Sequence, residues 1–258
     1  MTEDDSSRSV PIMAKRVLGS AILWVGLLFV GSLFLLPAFR SLFEWAFPGV
    51  EPAVYSRTTF LALWLSHAGL VLASSLVSTI VGVGLAVFVT RGAGREFRAA
   101  VDSVAGIGQT FPPTTVLAVA VPIVGFGVTP TLIALMLYGL LPIVENAIAG
   151  FEGVSPAVLE AGAGMGLSRL QLLWRVELPL AAPLILSGVR TSVIVNIGTA
   201  TIGSTVGALT LGTPIISGLV GEKMPYVIQG TIVVGLFAIL TDLVFERLDQ
   251  HFRSRRGG

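Results

Sequence analysis

Six stretches of about 20 mostly apolar residues divide the chain, each long enough to cross roughly 30 Å of hydrocarbon as a helix rising 1.5 Å per residue. They run over residues 17–36, 66–89, 101–124, 131–149, 181–203 and 226–245. The pattern predicts an all-α, polytopic membrane protein with six transmembrane helices. The first stretch carries no charge and follows Lys15 and Arg16. Its apolar core is longer than that of a signal peptide, and no small-x-small cleavage site follows, so it reads as a retained anchor. The third stretch contains Pro112-Pro113, and the fifth carries Pro, Gly, Ser and Thr. Both need protein neighbours to satisfy loosened backbone groups.

Composition agrees with this pattern. Hydrophobic residues make up 53% of the chain and charged residues 12%, about half the charge that covers a soluble domain. The distribution of Lys and Arg is more informative than the net charge. With the N-terminus inside, the inner segments hold Arg8, Lys15, Arg16, Arg91, Arg95, Arg98, Arg169, Arg175, Arg247, Arg253, Arg255 and Arg256, twelve of the 16 basic residues. The outer segments hold Arg40, Arg57 and Lys223. By the positive-inside rule both termini are expected in the cytoplasm.

Catalytic chemistry finds little support. Cysteine is absent, which excludes disulfides and thiolate sites. A phosphate-binding P-loop requires Lys directly after Gly, whereas Lys15 follows Ala14 and Lys223 follows Glu222. No cofactor or metal site is predicted, and the two histidines, His67 and His251, lie far apart in sequence. Nothing points to nucleic acid.

Polar residues inside the stretches suggest internal packing or a route. Ser74, Ser78, Gly82 and Ala86 recur every four residues of the second, a small-residue face for close helix approach. In the fifth, Ser187, Thr191, Ser192, Asn196, Thr199 and Thr201 should face protein or a watery path. Arg190 is an intramembrane charge that requires snorkelling or a partner, for which Glu145 and Asp102 are the candidates.

The segment between the fourth and fifth stretches has a different composition. Ser155-Pro156 reads as an N-cap with Pro at the first helical position. A first short helix should end in the Gly164-Met165-Gly166 turn. Ser168 and Gln171 have the spacing of a capping box for a second short helix, which Leu178-Pro179 is expected to close. The prediction is an exposed helical knob, built to dock with something.

These residues resemble the EAA loop of binding-protein-dependent ABC importer permeases: Glu160-Ala161, Gly166 six residues after the Glu, then Val176-x-Leu178-Pro179. Gly162 departs from the pattern, which usually has a second Ala, and is expected to loosen the first docking helix. The resemblance spans about residues 59–246. It implies a five-helix type I importer core with an additional N-terminal helix, and a knob (Glu160, Ala161, Gly162, Gly164, Met165, Gly166, Leu178, Pro179) that couples to a separate ATPase subunit. The implied organisation is a polar segment at 1–16, the first helix and outer loop at 17–58, the permease domain at 59–246 with its coupling loop at 151–179, and a basic tail at 247–258. ATP and Mg would be bound by the partner. An extracytoplasmic solute-binding protein and a second permease subunit, identical or related, complete the assembly in the lipid bilayer.

Gly108-Gln109-Thr110-Phe111-Pro112-Pro113, the run 137–144, Gly164-Met165-Gly166 and Gly198-Thr199-Ala200-Thr201 resemble the osmoprotectant branch, which imports glycine betaine, choline or carnitine. Quaternary ammonium groups bind aromatic faces with about 0.5–2 kcal/mol per contact. Phe111, Pro112, Tyr138, Asn196, Thr199 and Thr201 are therefore the candidate path residues, with core packing the competing role for Phe111 and Tyr138. Alternatives are an ABC permease for another small solute, such as an amino acid, methionine or a sulfur-containing betaine, and an ATP-independent channel or carrier.

Overall fold

The computed structural model describes residues 6–254, which form helices joined by short turns. In chain order these are α1 (Ser6–Leu35), α2 (Arg40–Ala46), α3 (Phe60–Val89), α4 (Arg98–Thr110), α5 (Pro113–Val124), α6 (Val128–Glu152), α7 (Pro156–Gly164), α8 (Arg169–Leu172), α9 (Leu178–Ala200), α10 (Gly212–Val220) and α11 (Met224–Ser254). The polar N-terminal segment is helical from Ser6, and residues 1–5 and 255–258 lie outside the description.

Among the described residues, five helical runs are long and apolar enough to cross a membrane: Leu18–Ala46, Phe60–Val89, Val128–Glu152, Arg169–Ala200 and Met224–Gln250. The third predicted stretch is not among them, because it divides into α4 and α5. Phe111 is extended (φ −80°, ψ 136°) and so is Pro112 (φ −57°, ψ 143°). Each proline forces the residue before it out of the helical region. Pro113 then opens α5, where its missing N–H costs nothing.

The chain divides into two compact units. One comprises residues 1–67 and 209–258, the other residues 68–208. In the first, α1 packs on α11 and α10 packs on α11. Phe29 stacks on Phe237 and meets Trp64 edge-on, each at 5.7 Å between ring centroids. Tyr55, Phe60 and Tyr226 form a second aromatic cluster. Gln229 on α11 is fully buried and fastens the segment before α3: its Oε1 accepts from the Tyr55 N–H (3.0 Å) and its Nε2 donates to the Ala53 carbonyl (2.8 Å). His67 is equally buried and accepts from the Leu211 N–H at Nδ1 (3.2 Å).

In the second unit α6 and α9 form the main helix pair. Small residues set their approach. A Cβ added at Gly188 of α9 would lie 2.6 Å from the Pro142 carbonyl oxygen of α6. The predicted stripe on α3 is a buried face: Ser74, Ser78, Gly82 and Ala86 are all covered, and Gly82 meets Ile143 of α6.

Replacing Gln229 with Leu leaves a buried donor and a buried acceptor unpaired, at about 1–3 kcal/mol each. Thermal unfolding of the solubilised protein should show Gln229→Leu markedly less stable than wild type, with membrane insertion unchanged.

Candidate functional site

The knob forms as two helices joined at a glycine turn. Ser155 occupies the N-cap position and Pro156 the first turn, but the Ser155 side chain makes no capping hydrogen bond; its carbonyl instead accepts from Val158 and Leu159 N–H. The turn closes at Gly166, whose φ of +85° is the left-handed value that glycine adopts without strain. The Leu167 N–H returns to the Gly162 carbonyl at 3.2 Å. Ser168 then caps α8 reciprocally: the Gln171 N–H donates to Ser168 Oγ (3.3 Å) and the Ser168 N–H to Gln171 Oε1 (2.8 Å).

Two expectations are corrected here. Gly162 does not loosen α7, which continues to Gly164; it lies against α8, where an added Cβ would be 2.6 Å from Leu172 Cδ2. A methyl there would require the end of the Leu172 side chain to shift. Leu178-Pro179 does not end the second helix either. α8 passes through a π-helical turn (Leu173–Glu177) directly into α9, and the Leu178 N–H donates to the Leu173 carbonyl five residues back. The wide turn lets Pro179 enter a continuous helix, although it has no N–H and its ring would crowd the preceding turn.

Polar and apolar groups share the knob's exposed surface. Glu160, Ala161, Gly164 and Pro179 are exposed, Leu178 is half-buried, and Leu159 and Leu167 are partly tucked inward. Met165 is 77% exposed, Leu170 65% and Trp174 62%. Trp174 therefore projects from the knob rather than packing on the neighbouring long helices.

Ion pairs surround the knob's base. Arg91, two residues beyond the end of α3, reaches Glu177 of the π-turn at 2.5 Å. Arg98, opening α4, binds Asp102 at 3.0 Å and Glu152, at the end of α6, at 2.5 Å. Burial opposes the charge on Arg98, but its hydrogen bonds to Asp102 and Glu152 more than compensate and raise its pKa above the ordinary guanidinium value. Asp102 is thus engaged by Arg98, one helical turn away. Arg190 is half-buried on α9 and Glu145 is exposed on α6. Among the described residues no group of three or more His, Asp or Glu could hold a metal.

The path candidates do not converge on one cavity. Phe111 and the α5–α6 surface line an apolar groove of about 390 Å³, together with Thr115, Val119, Ile123, Ile133 and Leu137. Tyr138 is buried on α6 and does not line that groove, so the two rings do not present a common face to a cation. Pro112 is exposed at the helix break. Asn196 is fully buried, and its Nδ2 donates to Ser74 Oγ (3.3 Å) and Ser75 Oγ (3.2 Å) of α3. Ser78 Oγ donates to the Met136 carbonyl of α6 (3.0 Å). Thr199 is half-buried, and Thr201 Oγ1 donates to the Gly198 carbonyl (2.7 Å).

Residues 78–254 match the family described as the binding-protein-dependent transport system inner membrane component. The chain belongs to that family. It is 35% identical over 241 residues to the osmoprotectant import permease protein OsmY of Salmonella typhimurium, covering 92% of this chain and 97% of the relative. The choline transport system permease protein OpuBB of Bacillus subtilis is 38% identical over 181 residues (69% of this chain, 81% of the relative). The glycine betaine/carnitine/choline permease protein OpuCB of the same organism is 39% identical over 181 residues, with the same coverage. Among solved structures, the inward-facing MetNI methionine ABC transporter matches with a TM-score of 0.65 at 18% identity, covering 73% of this chain and 93% of that one. This likeness fixes the all-helical fold; the family match and the permease relatives make the chain a multi-pass permease component of the inner membrane.

Sequence reasoning missed the Arg91–Glu177 pair. Its members are 86 residues apart, and Arg91 reads only as one of many inner-face charges. The Asn196 cluster was legible as polar but not as closed. Since the chain has no cysteine, introduced thiols report access cleanly. Asn196→Cys should resist a charged maleimide in this conformation, whereas Met165→Cys should react readily. Loss of the Asn196 bonds should also lower stability by about 0.6–1.7 kcal/mol in an unfolding assay.

Proposed function

We propose that this chain is the permease subunit of an ABC importer for quaternary-ammonium osmoprotectants such as glycine betaine or choline, and that residues 155–172 are its docking element for a separate ATPase. The knob carries this assignment. It is preorganised by the capping box, the Gly166 turn and the Gly162–Leu172 contact, yet leaves Met165 and Leu170 uncovered beside Glu160. An exposed apolar cluster on a rigid, polar-rimmed element is what an interface uses. The solute class rests on the permeases of 35–39% identity, which are named for osmoprotectants, choline, carnitine and glycine betaine. The methionine and amino-acid transporters share the fold at 18–20% identity and carry no argument about cargo.

In this reading both termini and the knob face the cytoplasm, as the distribution of basic residues suggests. Two permease subunits form the route, and an extracytoplasmic receptor delivers the solute. Closure of the partner ATPases on ATP moves the knobs, and the route opens alternately to each side. Coupling requires that the knob contact the ATPase differently in the two states, because a contact of equal strength in both shifts no equilibrium.

Fully burying a Met side chain is worth about 1.5–3 kcal/mol, or roughly 10- to 150-fold in affinity. Met165→Ala should therefore weaken co-purification of the ATPase by at least tenfold while leaving the permease in the membrane. Glu160→Ala and Gly166→Val should lose ATP-driven uptake of radiolabelled glycine betaine. Wild-type uptake and association in all three variants would refute the assignment.

A further inference from the structure

The knob joins the long helix behind it through the π-turn Leu173–Glu177, and that turn carries one member of a partly buried ion pair. A π-turn holds one residue more than the α-helix it interrupts and is rare, so its presence calls for a local cause. Two features supply it here. Pro179 supplies no N–H and crowds the preceding turn, which disfavours the α register at that point. Glu177, the last residue of the π-turn, is bound by Arg91 at 2.5 Å, with side-chain exposures of 14% and 33%. A pair this covered is screened less by salt than a surface pair.

Resting on the coupling role proposed above, we infer that Arg91 and Glu177 are positioning residues. Their ion pair ties the π-turn to the end of α3, so that displacement of the knob is transmitted to the long helices rather than absorbed at the junction. Relaxation of the turn to the α register would move the knob by about 1.5 Å along the helix axis and rotate it by about 100°. With the pair intact, the knob, α9 and the end of α3 move as one body. With the pair broken, the ATPase still grips the knob and hydrolyses ATP, but the helices behind it do not follow.

The test uses the complete importer in proteoliposomes, with three readouts: ATPase retained on purification, ATP hydrolysed, and radiolabelled glycine betaine imported. Arg91→Glu and Glu177→Arg should each retain the ATPase and its hydrolysis while uptake per ATP falls at least tenfold. The double reversal should restore uptake per ATP to within about twofold of wild type, a rescue that a merely space-filling role would not give. Glu177→Gln, which keeps the side chain's size, carries the test if a reversal fails to reach the membrane, and should lose uptake per ATP by threefold or more. Wild-type stoichiometry in the single variants, or a double reversal as impaired as either single, overturns the inference. The coupling role fails on a different readout, full ATPase retention by Met165→Ala, so the two failures are distinguishable.

Discussion

Hydrocarbon offers no hydrogen bonds, so every backbone N–H and C=O at membrane depth has to find its partner inside the protein. This constraint makes the chain a set of helices, and it gives meaning to each place where a helix is interrupted. At Phe111-Pro112 the backbone runs extended between α4 and α5, so the amides there need cover from protein or water rather than lipid. Beyond α9 the chain tightens into a 3-10 turn (Ile202–Val206), and the Val206 carbonyl accepts from the Gly127 N–H at 2.7 Å, which joins that turn to the start of α6. At Leu173–Glu177 the ladder widens without breaking. Of these three departures, the extended break and the π-turn each lie beside a proline.

The same solvent removes the usual drive for helices to associate, since lipid tails are as apolar as leucine. What remains is close packing and interhelical hydrogen bonding, and the second unit uses both at one place. Gly139 and Gly188 let α6 and α9 approach until an added methyl would overlap Ser192 Oγ or the Pro142 carbonyl. Asn196 crosses to Ser74 and Ser75 on α3, and Ser78 crosses to α6. A polar side chain in the fifth apolar stretch therefore does not by itself mark a route. In this conformation Asn196 bonds neighbouring helices, while an apolar groove beside Phe111 lies open.

Periodicity and apolar length located the long helices, α6 and α9 to within three residues at each end, because those signals are local and summed over 20 or more positions; α1 and α11 run on into polar flanks that apolar length does not register. The knob was also legible, since capping boxes, N-terminal prolines and glycine turns are written in adjacent residues; Ser168, Gln171 and Gly166 behave as their spacing suggests. Failures came where the outcome depended on partners distant in sequence. Pro179 looked like a terminator because, within α8 alone, a proline should stop the helix; a π-turn held in part from α3 lets the helix run on. Gly162 looked like a weakness because its contact with Leu172 arises only after the chain has reversed direction. For Phe111 and Tyr138 the aromatic side chain alone left core packing and a path both open; burial separates them, with Tyr138 in the core and Phe111 exposed at a helix break.

Rigidity decides where a permease of this kind can yield. Within the knob the capping box, the left-handed Gly166 and the α7–α8 contact leave few soft torsions, so force applied to Met165 or Leu170 moves the knob as a body. Behind it, α9 is bolted to α6 by glycine contacts that tolerate little sliding, because packed interfaces are bistable rather than continuously deformable. Compliance is then confined to the junctions, where the 151–156 link enters α7 and where α8 widens into α9. Both are tied by charge: Arg98 holds Glu152 at the first, and Arg91 holds Glu177 of the π-turn at the second, where both side chains are more covered. An element that must transmit displacement without losing it at a hinge needs a tie across the hinge, and the chain provides one there.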